Sequence, residues 1–227
     1  MALYAIGDLH LSLGVKNKSM EIFGPAWENY VDRVGYALDD FTADDVLILD
    51  GDLSWGMTLQ QAEADFRFLN QFPCQKWLVK GNHDYWWNTV SKMRAFFDEK
   101  GFENFDFIHN NCAFYENYAL CGTRGWFLEE DPRNIKVLNR EIQRLDTSCK
   151  AAGERDIICF LHYPPLYQGY SCKEILDKLR EYHVKKCFYG HLHGPSIQRR
   201  LEGVIDGIDF ALISADYLRF VPKKICD

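Results

Sequence analysis

Trp77-Leu78-Val79-Lys80-Gly81-Asn82-His83-Asp84 is the stretch on which the fold turns. Its apolar start predicts a strand, and Gly81 predicts a sharp turn that no Cβ obstructs. Asn82, His83 and Asp84 then lie just beyond the strand's carboxyl end. Four more segments end the same way. Asp8 and His10 follow the apolar residues 2–6, Gly51-Asp52 follows 46–49, His162 follows 157–161, and Gly190-His191-Leu192-His193-Gly194 follows 187–189. Five of the seven histidines fall in these segments. In open α/β sheets ligands bind at the carboxyl edge of the strands, so five separate loops are expected to meet over one rim.

Helical patterns separate these strands. Pro25 to about Asp40 reads as a helix opening on proline, with Trp27, Val31, Val34 and Leu38 at helical spacing. Thr58 is the expected N-cap of a helix carrying Leu59, Ala62, Phe66 and Leu69. Further helices are expected over about 87–98, 134–150 and 172–183. Residues 105–121 read as two or three short strands, and 197–213 as an antiparallel pair around Asp206-Gly207. Strand–helix alternation implies an α/β layered fold, with a largely parallel sheet and added antiparallel strands that suggest a second sheet. Without repeats or linkers, residues 1–227 read as one domain.

A formal net charge of −7 argues against a nucleic-acid footprint, which needs clustered Lys and Arg. It is compatible with a small phosphorylated substrate, because bound dications reverse the local field. None of the eight cysteines forms a C-x-x-C pair, so Cys121, Cys159 and Cys187 read as small buried hydrophobes. A candidate ligand at residue 8 leaves no room for a signal peptide, and no apolar run approaches the ~20 residues of a membrane helix. The expectation is a cytoplasmic chain with reduced thiols, and no membrane partner.

Asp oxygens, His nitrogens and an Asn carbonyl suit borderline metals such as Mn, Fe, Zn or Co. Asp8, His10, Asp52, Asn82, His162, His191 and His193 are too many for one tetrahedral zinc. They suit two ions ~3.5–4 Å apart, and Asp52, with two carboxylate oxygens, could bridge them. Each segment alone has an ordinary structural reading as a turn, cap or packed loop; their joint order is what carries the metal reading.

The set D-x-H, GD, GNH(D/E), H and G-H-x-H, spread over residues 7–194, resembles the calcineurin-like metallophosphoesterase superfamily. The segments GDLHLS (7–12), GNHDYWW (81–87), CGTRGW (121–126), LHYPP (161–165) and YGHLHG (189–194) are similar to a group of bacterial predicted phosphohydrolases. The resemblance implies two packed mixed sheets flanked by helices, a four-layer sandwich. It implies that Asp8, His10 and His193 hold one divalent or trivalent ion and that Asn82, His162 and His191 hold the other, with Asp52 bridging. His83 would approach the substrate, and Asp84 would orient that imidazole and favour its protonated form.

Two such ions would lower a bound water's pKa towards ~7 and supply hydroxide for in-line attack on phosphorus, with His83 as general acid. The substrate would be a phosphate mono- or diester of a small molecule. Arg124 could clamp phosphate or serve in a structural ion pair. Trp126, with Trp55, Tyr85, Trp86 and Trp87, could wall a pocket or pack the rim. His109 and His183 read as surface or packing residues, Arg199-Arg200 as a solvated strand end, and Lys223-Lys224 as solvated charge in the tail. Competing readings are a non-catalytic interaction scaffold on the same fold and a metal hydrolase of a non-phosphate ester.

Overall fold

Alternation along each strand sends neighbouring residues into different apolar layers. The molecule is described here by a computed structural model covering residues 1–126 and 134–227. In the first sheet, β1 (Leu3–Ile6), β2 (Val46–Asp50), β3 (Gln75–Val79) and β4 (Phe105–Phe107) run parallel. Helices α1 (Tyr30–Leu38), α2 (Leu59–Asn70) and α3 (Val90–Lys100) lie between them in the chain. Leu47 and Leu49 point into a core shared with Val34, Phe66, Leu69 and Phe97 of these helices. Ile48, between them, points the other way, into a layer with Ile158, Phe160 and Phe188 of the second sheet.

The second sheet repeats the arrangement. It takes β5 (Cys112–Tyr115), β6 (Tyr118–Thr123), β7 (Asp156–Leu161), β10 (Lys186–Tyr189), β11 (Gly203–Ile205) and β12 (Ile208–Leu212), in the order β11-β12-β10-β7-β6-β5. A small hairpin, β8 (Leu166–Tyr167) with β9 (Tyr170–Ser171), stands apart. Cys159 and Leu161 face α4 (Asn134–Lys150) and α5 (Lys173–Glu181) through a third apolar layer with Leu145, Ile175 and Leu179. Helices, sheet, sheet, helices: the expected four-layer α/β sandwich of two mixed sheets.

Several expectations hold locally. Thr58 caps α2 by accepting from the Gln61 amide at 3.3 Å, and Asp206-Gly207 forms the β11–β12 turn with φ of 50° and 81°, the left-handed pair such a two-residue hairpin needs. Others are corrected. Pro25 opens only a 3-10 turn, Pro25–Trp27, and α1 begins later, at Tyr30. Asn29 between them is left-handed, at φ 50°; the break lets Trp27 pack on Tyr30 and Phe220 at ring distances of 5.5 and 5.2 Å. Arg199-Arg200 closes a 3-10 turn, Gly194–Arg199, rather than a strand. Lys223-Lys224 belongs to β13 (Lys223–Cys226), antiparallel to β1 at the sheet's edge. Two exposed lysines there discourage edge-to-edge pairing with another chain. All eight cysteines are free, and among the described residues no helix is long and apolar enough to cross a membrane.

The two sheets meet at the rim. Gly7 donates its amide to Ile213 O at 2.7 Å and accepts from the Ala215 amide at 2.9 Å. The carboxyl ends of β1, β2 and β3 therefore open beside those of β7 and β10.

Candidate metal centre

The loops leaving β1 and β2 run side by side. The Asp8 amide donates to Gly51 O at 2.9 Å, and the His10 amide to Asp52 O at 2.9 Å. Asp8, His10, Asp52 and His191 all take left-handed backbone, with φ of 56°, 46°, 50° and 69°. Such conformations are disfavoured for residues with a Cβ and persist where surrounding structure imposes them. Gly51 and Gly81 permit the crowding. A Cβ on Gly51 would lie 2.6 Å from His162 Nδ1, and one on Gly81 would overlap the Asp52 amide and Oδ1.

Asp52 sits at the middle, 1% exposed. Its Oδ1 accepts the His83 amide at 2.7 Å. Its Oδ2 is buried with no hydrogen bond, 3.4 Å from His162 Nε2 and 3.8 Å from His10 Nε2. Asp8 is fully buried; Oδ2 accepts the His191 amide at 2.8 Å while Oδ1 has no partner. Neither ring nitrogen of His10 has one, and the ring stacks on Trp55 at 5.0 Å. Asn82 Oδ1 lies 2.8 Å from His162 Nε2. The His193 ring is 5.4 Å from that of His10, and His191 the same distance from His162.

Two groups emerge, Asp8/His10/Asp52 and Asp52/His162/His191, each offering ligand atoms within 4.8 Å of one another. They share Asp52. Buried polar atoms without hydrogen bonds are costly; those of Asp8, His10 and Asp52 lie on the first sheet's loops, His162 and His191 meet them from the second, and carboxylate and imidazole are groups that bind borderline metals. The donor set fits a pair of cations. Asn82 and His193 lie beside the two groups, at the distances above.

The electrostatics agree. Burial lowers the imidazoles of His10 and His191 to about 3, leaving both neutral and able to ligate. At His162 burial acts in the same direction, but Asp52, Asp8 and Asp50 outweigh it and hold the imidazole at about 10. A field that holds a proton so firmly equally attracts a metal cation. Asp8 is pushed up to about 6, first by burial and then by Asp52, with His162 opposing.

The expected role of Asp84 needs correction. It is 1% exposed, and its oxygens are saturated: Oδ2 accepts the Gly81 and Asp52 amides at 2.7 and 3.0 Å, and Oδ1 accepts the Leu53 amide and Trp86 Nε1 at 2.9 and 3.0 Å. The His83 imidazole is not among these donors; its Nδ1 is buried without a hydrogen bond. Asp84 ties the β2 and β3 loops together. His83 is half-buried with its ring 4.8 Å from Trp55, and burial lowers its pKa while Asp52 raises it.

Arg124 Nη2 stands 3.5 Å from Glu141 Oε1, and its guanidinium lies 5.9 Å from the Tyr163 ring centre. Trp126 is buried in the layer between the second sheet and its helices, and Trp86 packs edge-on against Phe66 at 4.9 Å, so both are packing residues. Tyr85 is 55% exposed. Of these aromatics, Trp55 faces the centre, its ring 5.0 Å from that of His10. Sequence reasoning missed two neighbours. Asp50 is fully buried with both oxygens unpartnered; its polar position at the end of an apolar strand was the available signal. Trp27 packs edge-on to His10 and His193 at 6.1 and 6.3 Å, and its helical spacing hid this.

The family model described as calcineurin-like phosphoesterase matches residues 1–195. No curated protein matches the sequence significantly. Among solved structures, the chain is similar to the phosphopantetheinyl hydrolase PptH from Mycobacterium tuberculosis, with 14% identity, TM-score 0.61, and 99% of this chain and 95% of that one covered. It is also similar to the protein of unknown function AQ665 from Aquifex aeolicus, with 12% identity, TM-score 0.54, and coverage of 98% and 95%. For TT1561 of Thermus thermophilus the values are 11%, 0.54, 99% and 97%. At these identities the likeness is one of fold.

Proposed function

The chain belongs to the calcineurin-like phosphoesterase family, and from that premise we propose that it hydrolyses a phosphate mono- or diester of a small molecule at a dinuclear centre. One observation carries the reading: Asp52 Oδ2, buried without a hydrogen bond, lies between His10 and His162, and Asp52 is common to both ligand groups. In this reading Asp8, His10 and His193 hold one cation, Asn82, His162 and His191 the other, and Asp52 both. Two cations so held supply Lewis acidity and, at neutral pH, an activated water.

The protein's own residues do the rest. Asp84 fixes the β2 and β3 loops so that Asp52 and His83 keep their spacing. His83 passes a proton from its ring to the departing oxygen; an imidazole whose pKa is lowered by burial is a stronger acid once charged. Trp55 walls the space beside His10 and His83 and excludes water from that side. The Mycobacterium tuberculosis neighbour is named a phosphopantetheinyl hydrolase, which supports hydrolysis at a phosphorylated group here.

The test is turnover by manganese-loaded protein of p-nitrophenyl phosphate, bis(p-nitrophenyl) phosphate and p-nitrophenyl acetate. Hydrolysis of either phosphate ester in preference to the acetate is expected. Faster hydrolysis of the acetate, or no turnover with Mn, Fe, Zn or Co, would overturn the proposal.

A further inference from the structure

A second polar cluster borders the candidate centre. Tyr163 packs edge-on against His191 at 4.6 Å, and Arg124 lies 5.9 Å from the same ring. Arg124 leaves the carboxyl end of β6, Lys80 that of β3, and Arg144 comes from α4. All three gather near one acid, the fully buried Glu141.

Glu141 does not balance them. Its Oε2 accepts from Thr123 Oγ1 at 2.6 Å, and its Oε1 takes Arg144 at 2.6 Å. Arg124 reaches Oε1 only at 3.5 Å, beyond a strong charge-assisted bond, and its Nε is buried without a partner. Lys80 is half-buried and makes no ion pair among the described residues. It lies within electrostatic reach of Arg124, Arg144, Asp84 and Glu141. Asp84 gives it little in return, since four N–H donors already occupy that carboxylate. In a chain of net charge −7, this cationic surplus among the described residues is a local feature with a local use.

We infer that Lys80, Arg124 and Arg144 bind a second anionic group of the substrate, phosphoryl or carboxylate, while its scissile phosphate occupies the metal centre. The inference rests on the phosphoesterase reading and narrows it: the substrate is a small phosphoester with a further anion a few bonds away. Guanidinium forks and an ammonium left short of acceptors match an anion of several oxygens. Each charge-assisted hydrogen bond is worth enough to change affinity about tenfold or more.

The experiment is calorimetric binding to manganese-loaded protein of butyl phosphate, butane-1,4-diyl bisphosphate and 5-(phosphonooxy)pentanoate. The two doubly anionic ligands are expected to bind at least ~10-fold more tightly than butyl phosphate. A preference for the bisphosphate alone narrows the second group to phosphoryl; an equal preference for both assigns a general anion site. Lys80→Met and Arg144→Met each bring the ratio towards one, and Lys80→Arg restores it. Because Arg144 also pairs with Glu141, circular dichroism and metal content check that variant's fold, and Lys80→Met, which breaks no ion pair, stands independently. Equal affinities in the wild type, or a ratio unmoved in Lys80→Met, would overturn the inference. The readout is binding, so absent turnover would refute the phosphoesterase reading without silencing this test.

Discussion

Asp52 and Asp84 leave adjacent strands, touch through the Asp52 amide at 3.0 Å, and are each 1% exposed, yet their surroundings are opposite. Asp84 accepts four N–H groups and closes a structural knot behind the rim. Asp52, on the rim, keeps Oδ2 without a hydrogen bond between two imidazoles. Burial of an acid therefore says little by itself. What separates scaffold from site is whether the neighbourhood supplies donors or further acceptors. Around Asp84 it supplies four N–H donors; around Asp52 Oδ2 it supplies no hydrogen bond, only the His162 and His10 imidazoles at 3.4 and 3.8 Å with Asp8 in the same ligand group.

Substitutions can break this contrast. The largest effect is expected at the shared ligand. Asp52→Asn removes the charge common to both groups, and metal content by elemental analysis should fall to near zero with turnover lost. Retention of both metals would erase the distinction between the two acids. Next comes His83→Ala, which should keep its metal and slow esters with poor leaving groups by roughly 10²–10⁴-fold, with less effect on p-nitrophenyl esters. Equal slowing across leaving groups would remove His83 from proton transfer.

Asp84→Asn should weaken metal binding by about 10–100-fold, because an amide cannot accept from all four donors. The unpaired amides should also cost about 1–3 kcal/mol in urea denaturation. Full loss of metal, matching Asp52→Asn, would mean that Asp84 belongs to the site rather than to its support.

Asp65 sharpens the comparison with the smallest effect on turnover. It is fully buried on α2, accepts the Leu13 amide at 2.7 Å, and is bonded to Ser54 Oγ. Burial raises its carboxyl to about 6 from the usual 3.8, against the lowering effect of those two bonds. The folded chain thus binds more protons than the unfolded chain between pH 3.8 and about 6. The associated stability is fully present below this window and is lost as pH rises through about 6, by roughly 3 kcal/mol at most. The difference in unfolding free energy between wild type and Asp65→Asn should shrink across that interval; a difference that grows with pH would contradict the assignment.

The seven candidate ligands were legible because each follows an apolar strand by one to four residues, where the chain must turn and expose its polar groups at one edge. The α/β alternation was legible for the same reason. Contacts made across long sequence separations were not. Glu141 meets Arg124 from a helix that begins after β6 has ended, so no local pattern joined them. The resemblance implies that Asp84 orients His83, yet in an irregular loop the backbone sends one of these sequence neighbours inward to the amides and the other to the rim. Trp27 was hidden by a good helical period that Asn29 interrupts. β13 was hidden because two lysines in a short segment resemble a solvated tail, although an edge strand tolerates them well.

The central claim is that one carboxylate serves two metal ions, and electron paramagnetic resonance of the manganese(II)-loaded protein tests it most directly. At two equivalents per chain the account predicts an exchange-coupled spectrum, which Asp52→Asn abolishes. Two isolated six-line signals, or a single equivalent bound however much is supplied, would contradict it.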